Sequence, residues 1–167
     1  MTACYPTAHG TFVVERRYDA SPARVFNAWA DPVAFRRWYV DGDARDDGVK
    51  AHVLEWSHDF RVGGSAGGRF RFGDESNPVV FNDTRYLDLV PDRRIITSYV
   101  MGFDRAEGRE RFSACLATID LFADGEGTRL VYTEQGAFFG EDGAAHIPMR
   151  ERGCADMLEF LGRDLER

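Results

Sequence analysis

The chain has 167 residues, 44% of them hydrophobic and 13% aromatic, enough for one domain with a substantial core. Its net charge of −7, with Lys50 the single lysine among 21 basic residues, argues against a nucleic-acid partner, since phosphate contact needs a basic patch. No apolar run reaches membrane-spanning length and Met1–Gly10 lacks a basic, apolar leader pattern, which predicts a cytoplasmic protein with no membrane role. Cys4, Cys115 and Cys154 are odd in number and widely spaced, as reduced thiols are.

Residues 1–9 read as a tail, and 10–167 as a single domain. Thr11–Tyr18 alternates as a first strand. Ser21-Pro22 then opens a helix with Val25, Phe26 and Trp29 on one side: Ser caps free N–H groups, and Pro loses nothing at the first helical position. Asp31-Pro32 repeats the signal, predicting a second short helix through Trp38. Asp41–Gly48 is an acidic loop whose spacing puts Arg45 and Asp46 where a calcium loop needs an oxygen ligand and a glycine.

From residue 51 to 134 the chain reads as one strand after another. His52–Val62 has a strict period of two, placing His52, Leu54, Trp56, His58, Phe60 and Val62 on one face. Gly63–Gly68 reads as a turn; no Lys-Ser/Thr follows it, so it is not a phosphate loop. Strands follow at Arg69–Gly73, Val79–Val90, Ile95–Phe103, Arg109–Phe122 and Thr128–Glu134, with a hairpin turn at Asp124–Gly127. From about Pro148 an amphipathic helix closes the chain, with Cys154, Met157 or Leu158, Leu161 and Leu165 on its apolar side. The order is strand, two short helices, about six strands and a long closing helix, an α+β chain whose short turns between strands imply an antiparallel, meandering sheet. Such an architecture can leave a hollow between its layers.

Several strings, in this order, carry a family resemblance: Val14-Glu15-Arg16 with Ala20-Ser21-Pro22-Ala23-Arg24-Val25-Phe26, Asp31-Pro32 through Arg37-Trp38, and Asp59-Phe60-Arg61-Val62-Gly63-Gly64. Tyr86 through Ile96, Thr128-Arg129-Leu130 and Thr133 through Phe138 complete the series. The chain resembles the START-like or SRPBCC superfamily, and within it the group related to the C-terminal domain of the activator of the heat-shock-ninety ATPase. The resemblance implies a helix-grip fold, a curved antiparallel sheet of six or seven strands wrapped around a long C-terminal helix with two short helices after the first strand, and an apolar cavity between sheet and helix. It also implies a small-molecule partner, no cofactor, and a monomer or homodimer. Gly153-Cys154 stands where many relatives carry Gly-Trp.

With that fold, alternation points Leu130, Tyr132 and Glu134 inward from the last strand and Ser113, Cys115, Ala117 and Ile119 from the one before it. The next strand back contributes Thr97, Tyr99, Met101 and Phe103, and the Val79 strand Phe81, Asp83, Arg85, Leu87 and Leu89. Glu134 needs a cationic partner in such a place, and Arg85 or Arg111 is expected to supply it. That pair reads either as a ligand anchor or acid/base group, or as a structural ion pair. His58 has no visible partner, His52 and His58 lie roughly 20 Å apart along one strand, and no metal-ligand spacing occurs. Ser113 and Cys115 lack any nucleophile motif. Phe138-Phe139-Gly140 is placed to gate a cavity mouth. The candidate ligand-binding residues are therefore Trp56, His58, Arg85, Tyr99, Met101, Cys115, Tyr132, Glu134, Phe138 and Met157, with no catalytic residue assigned. The expected function is binding of a small apolar or amphipathic molecule. The alternatives are a cyclase or aromatase-type enzyme in the same cavity, or a chaperone-associated protein adaptor.

Overall fold

The two Pro-started helices follow their caps. Ser21 accepts a hydrogen bond from the Arg24 backbone N–H at 3.3 Å, opening α1 (Pro22–Ala30). Asp31 ends that helix and starts the next, its carboxylate accepting from the Val33 and Ala34 N–H groups at 2.8 Å. The computed structural model describes residues 5–41 and 51–167. After β1 (Thr7–Tyr18) and α1, α2 (Pro32–Phe35) runs into a π-helical segment, Arg36–Asp41. The strands β2 (Ala51–His58), β3 (Ser65–Phe72), β4 (Val79–Val90), β5 (Arg94–Arg105), β6 (Gly108–Asp124) and β7 (Gly127–Phe139) precede the closing helix α3 (Gly143–Leu165).

All strands join one antiparallel, curved sheet in the order β1-β7-β6-β5-β4-β3-β2. The strands from β2 to β7 form a meander, and β1 closes it by pairing with β7. The helices between β1 and β2 carry the chain from one sheet edge to the other. The core sits where α3 meets β1, β7 and α1: Val25, Ile119, Leu130, Leu158 and Leu161 are fully enclosed there. Three polar ties fix this end. The Tyr18 hydroxyl donates to the Leu158 carbonyl at 2.7 Å, the Trp38 indole N–H to the Ala28 carbonyl at 2.9 Å, and Arg37 pairs with the buried Asp164. The helix makes its close contacts at this end; farther along the sheet, β3, β4 and β5 stand away from it. That divergence is the physical origin of the space described below.

Several sequence-derived bounds shift. β1 starts at Thr7 rather than Thr11, β7 runs on to Phe139, and α3 begins at Gly143 with Pro148 inside it. Gly67 and Gly68 lie in β3, not in a turn; a Cβ on either would come within 2.3 Å of a neighbouring carbonyl, Asn82 or Glu55. Close strand approach, rather than chain reversal, explains those two glycines. Gly63, at φ 78°, is the true turn glycine. A bulge between Val53 and Glu55 breaks the strict alternation expected of β2: Trp56 and His58 turn inward while His52 and Leu54 are exposed. A second bulge, between Tyr86 and Asp88, does the same in β4. Leu89 faces the core as expected, but upstream of the bulge the inward set is Asn82, Thr84 and Tyr86. Phe81, Asp83, Arg85 and Leu87 lie on the other face, where Phe81 is covered by the Arg109 guanidinium 4.5 Å from its ring. Cys4 and the acidic stretch 42–48 lie outside the described residues.

Candidate functional site

A cavity of about 590 Å³ lies between the sheet's inner face and α3. That is within the range of sites that enclose a drug-sized molecule. One end is aromatic, built from Trp29 of α1, Phe35 of α2, Tyr39 of the π-helical segment and Trp56 of β2. The rings of Phe35 and Tyr39 stack at 4.7 Å and 14°, and those of Phe35 and Trp56 at 5.6 Å and 27°, packing this end as a cluster of stacked rings. The sheet contributes Thr97, Tyr99, Met101 and Phe103 from β5, and Asn82 and Thr84 from β4. Thr84 donates to Asn82 at 2.7 Å and Asn82 to the Tyr39 hydroxyl at 3.3 Å, so this polar string is satisfied internally. The helix contributes His146, Arg150, Cys154 and Met157. Exposed Phe72 and Met149 mark the open side.

Beneath one wall lies a buried polar cluster. Glu134 is fully enclosed and accepts hydrogen bonds from the Tyr99 hydroxyl at 2.6 Å and the Tyr132 hydroxyl at 2.8 Å, while the Cys154 thiol stands 3.5 Å away. The cation that balances it is Arg150, with Nη1 3.5 Å from the carboxylate. Nη1 also donates to the Tyr99 hydroxyl at 2.7 Å and faces the Cys115 thiol at 3.5 Å, and Nη2 donates to Ser113 at 2.9 Å. The guanidinium lies over the rings of Tyr99 and Phe138, with its carbon 5.4 and 5.7 Å from their centres. Gly136 lacks the side chain that would collide with the Phe138 ring and so leaves it this place.

Electrostatics fixes the protonation of the neighbours. Burial pushes the Tyr99 and Tyr132 hydroxyls well above their usual range, so both remain donors. Burial raises the Cys115 thiol to about 11 and also raises Cys154, with Glu134 adding to both. For Arg150 burial opposes the charge, but Tyr99 and Glu134 outweigh it and hold the guanidinium above its ordinary value. The cluster thus contains one anion, one cation and protonated hydroxyls and thiols. It offers the cavity neither a thiolate nor a free carboxylate.

Of the residues singled out in the sequence, Trp56, Tyr99, Met101, Tyr132 and Met157 line the cavity. Glu134 lies behind its wall, in contact with Tyr99 and Tyr132. Cys115 and Phe138 surround the Arg150 side chain, and Phe138 is a buried strand residue rather than a gate. His58 stacks on Phe35 at 4.7 Å and lies 3.3 Å from the Tyr86 hydroxyl, within the aromatic cluster. Arg85 is exposed on the outer face and Arg111 is exposed as well, so neither pairs with Glu134. The residue missed is Arg150. Its signal was present: it precedes Cys154 by four positions and Met157 by seven, the spacing of one helix face.

The model of the family described as Activator of Hsp90 ATPase homolog 1-like protein matches residues 19–165. Among solved structures, protein Mll3558 from Rhizobium loti is 44% identical, over 95% of this chain and 99% of its own, with a TM-score of 0.80. An uncharacterized protein from Rhizobium leguminosarum is 34% identical over 99% of both chains, with a TM-score of 0.83. Protein CV1439 from Chromobacterium violaceum is 30% identical over 94% of this chain and 97% of its own, with a TM-score of 0.68. No curated protein matches the chain in sequence.

Proposed function

The chain belongs to the Activator of Hsp90 ATPase homolog 1-like family, and from that premise we propose that it binds one small apolar or amphipathic molecule between its sheet and its closing helix. The observation that carries this reading is the cavity itself, about 590 Å³ in volume with an aromatic end. A polar patch on the wall gives such a molecule orientation, while the apolar remainder supplies affinity. The cluster's chemistry supports binding rather than turnover: its carboxylate is enclosed, its thiols are protonated, and Tyr99 is committed to Glu134.

A neutral fluorescent probe, N-phenylnaphthylamine, tests the reading against a variant that obstructs the space. Gly153 lines the cavity, and a Cβ on it meets nothing within 4 Å. Gly153 is itself exposed, so Gly153→Trp sets an indole at the cavity mouth, where it obstructs entry, while removing a helix-weakening glycine. The wild-type protein is expected to enhance the probe's fluorescence with a micromolar dissociation constant. The variant is expected to lose affinity by about tenfold or more, with a melting temperature equal or higher. A wild-type protein that leaves the probe dark, or a variant that binds it undiminished, refutes the proposal.

A further inference from the structure

We propose that the ligand is a neutral, largely apolar molecule bearing a carbonyl-type acceptor, held by the Nε–H of Arg150; this rests on the cavity being a ligand site. An arginine carries five N–H donors in a fixed fork. Among the described residues, every hydrogen bond that Arg150 makes comes from Nη1 or Nη2. Its Nε makes none among the described residues and is not sealed off, on a side chain that lines the cavity and retains 14% exposure. A charged donor on a mainly apolar wall is strongly favoured to find an acceptor once a ligand expels water from it.

The choice of acceptor follows from the charge already present. Glu134 neutralises Arg150, and the hydroxyls of Tyr99 and Tyr132 are both turned toward Glu134. A carboxylate ligand would bring a second anion to one cation in a water-poor space, and the cost of burying it would go uncompensated. A carbonyl oxygen needs one donor and brings no charge. One turn before Arg150 on the same helix, the His146 ring also lines the cavity, but its Nδ1 is sealed and offers the ligand no donor or acceptor. Arg150 is therefore the polar point of this helix face. The rings of Phe35, Tyr39 and Trp56 line the cavity with apolar aromatic surface, which favours an apolar, aromatic body.

Three probes of one shape separate these claims: acetylnaphthalene, naphthoate and ethylnaphthalene, substituted at the same ring position. They are titrated into the wild-type protein near neutral pH, with binding read from quenching of the Trp29 and Trp56 emission in the cavity wall. The ketone is expected to bind about tenfold tighter than naphthoate and about fivefold tighter than ethylnaphthalene. The Arg150 Nε–H resonance of nitrogen-labelled protein is expected to move with the ketone and not with the hydrocarbon. In the charge-free double variant Glu134→Gln/Arg150→Gln, ethylnaphthalene binding is expected to persist while the ketone preference disappears. Should that variant not fold, the wild-type resonance decides. Equal affinities, a preference for naphthoate, or an unmoved Nε–H signal overturns the anchor alone. If none of the three binds, the ligand-site reading falls with it.

Discussion

Removing the charge from Glu134 should show how strongly the buried pair is coupled. The carboxylate side chain is 0% exposed, that of Arg150 is 14% exposed, and their closest atoms are 3.5 Å apart. At an effective dielectric of about 20 the gross attraction is about 5 kcal/mol, most of it offset by desolvation. Glu134→Gln keeps the shape but leaves the guanidinium without its anion and weakens the two tyrosine bonds, which predicts a loss of about 3 kcal/mol. For a chain of this length that corresponds to roughly 6–12 °C in melting temperature. Arg150→Met should cost a similar amount, because it leaves an enclosed carboxylate uncompensated. The double variant removes both charges and should be less destabilised than the sum by about 2 kcal/mol. Urea unfolding of all four proteins, analysed at a common slope, measures that coupling. Single-variant losses that add to within about 0.5 kcal/mol would refute the assignment of Arg150 as the partner of Glu134.

Burial lowers the His58 pKa, so the unfolded chain takes up a proton near pH 6.5 while the folded one does not. This contribution to stability is complete above pH 6.5 and falls away as the pH drops through the lowered folded value. The urea midpoint of the wild type should therefore decline between those limits more steeply than that of His58→Gln, and parallel profiles would contradict the assignment. Cys115 and Cys154 are buried with raised thiol pKa values, so at pH 8 a Cys4→Ser protein should react with iodoacetamide only when unfolded in urea. Rapid native alkylation of either thiol would contradict this. Arg85→Ala and Arg111→Ala, both at exposed positions, should each alter stability by less than about 0.5 kcal/mol, and a loss near that of Arg150→Met would return them to the Glu134 site.

The order of elements was legible along the chain because each boundary is a local event. Ser21-Pro22 and Asp31-Pro32 act within one helical turn, and Asp124–Gly127 within one hairpin. The inward residues of β6 and β7 were equally legible, since their pairing runs without interruption from Ser113–Phe138 to Asp124–Gly127. A period of two then carries one correct assignment along the whole strand. In β2 and β4 a single extra residue resets that period, and a bulge arises from how two strands twist against each other, which neither strand's own composition encodes. So Arg85 appeared to face Glu134 while Thr84 in fact faces the cavity. The pairing of Glu134 with Arg150 also joins a central strand to a helix that follows it in the chain. Propensity and spacing along the sequence determined the elements and most of their inner faces. The charge partner and the hollow beside it were decided only in three dimensions, because both depend on where α3 touches the sheet and where the sheet curves away from it.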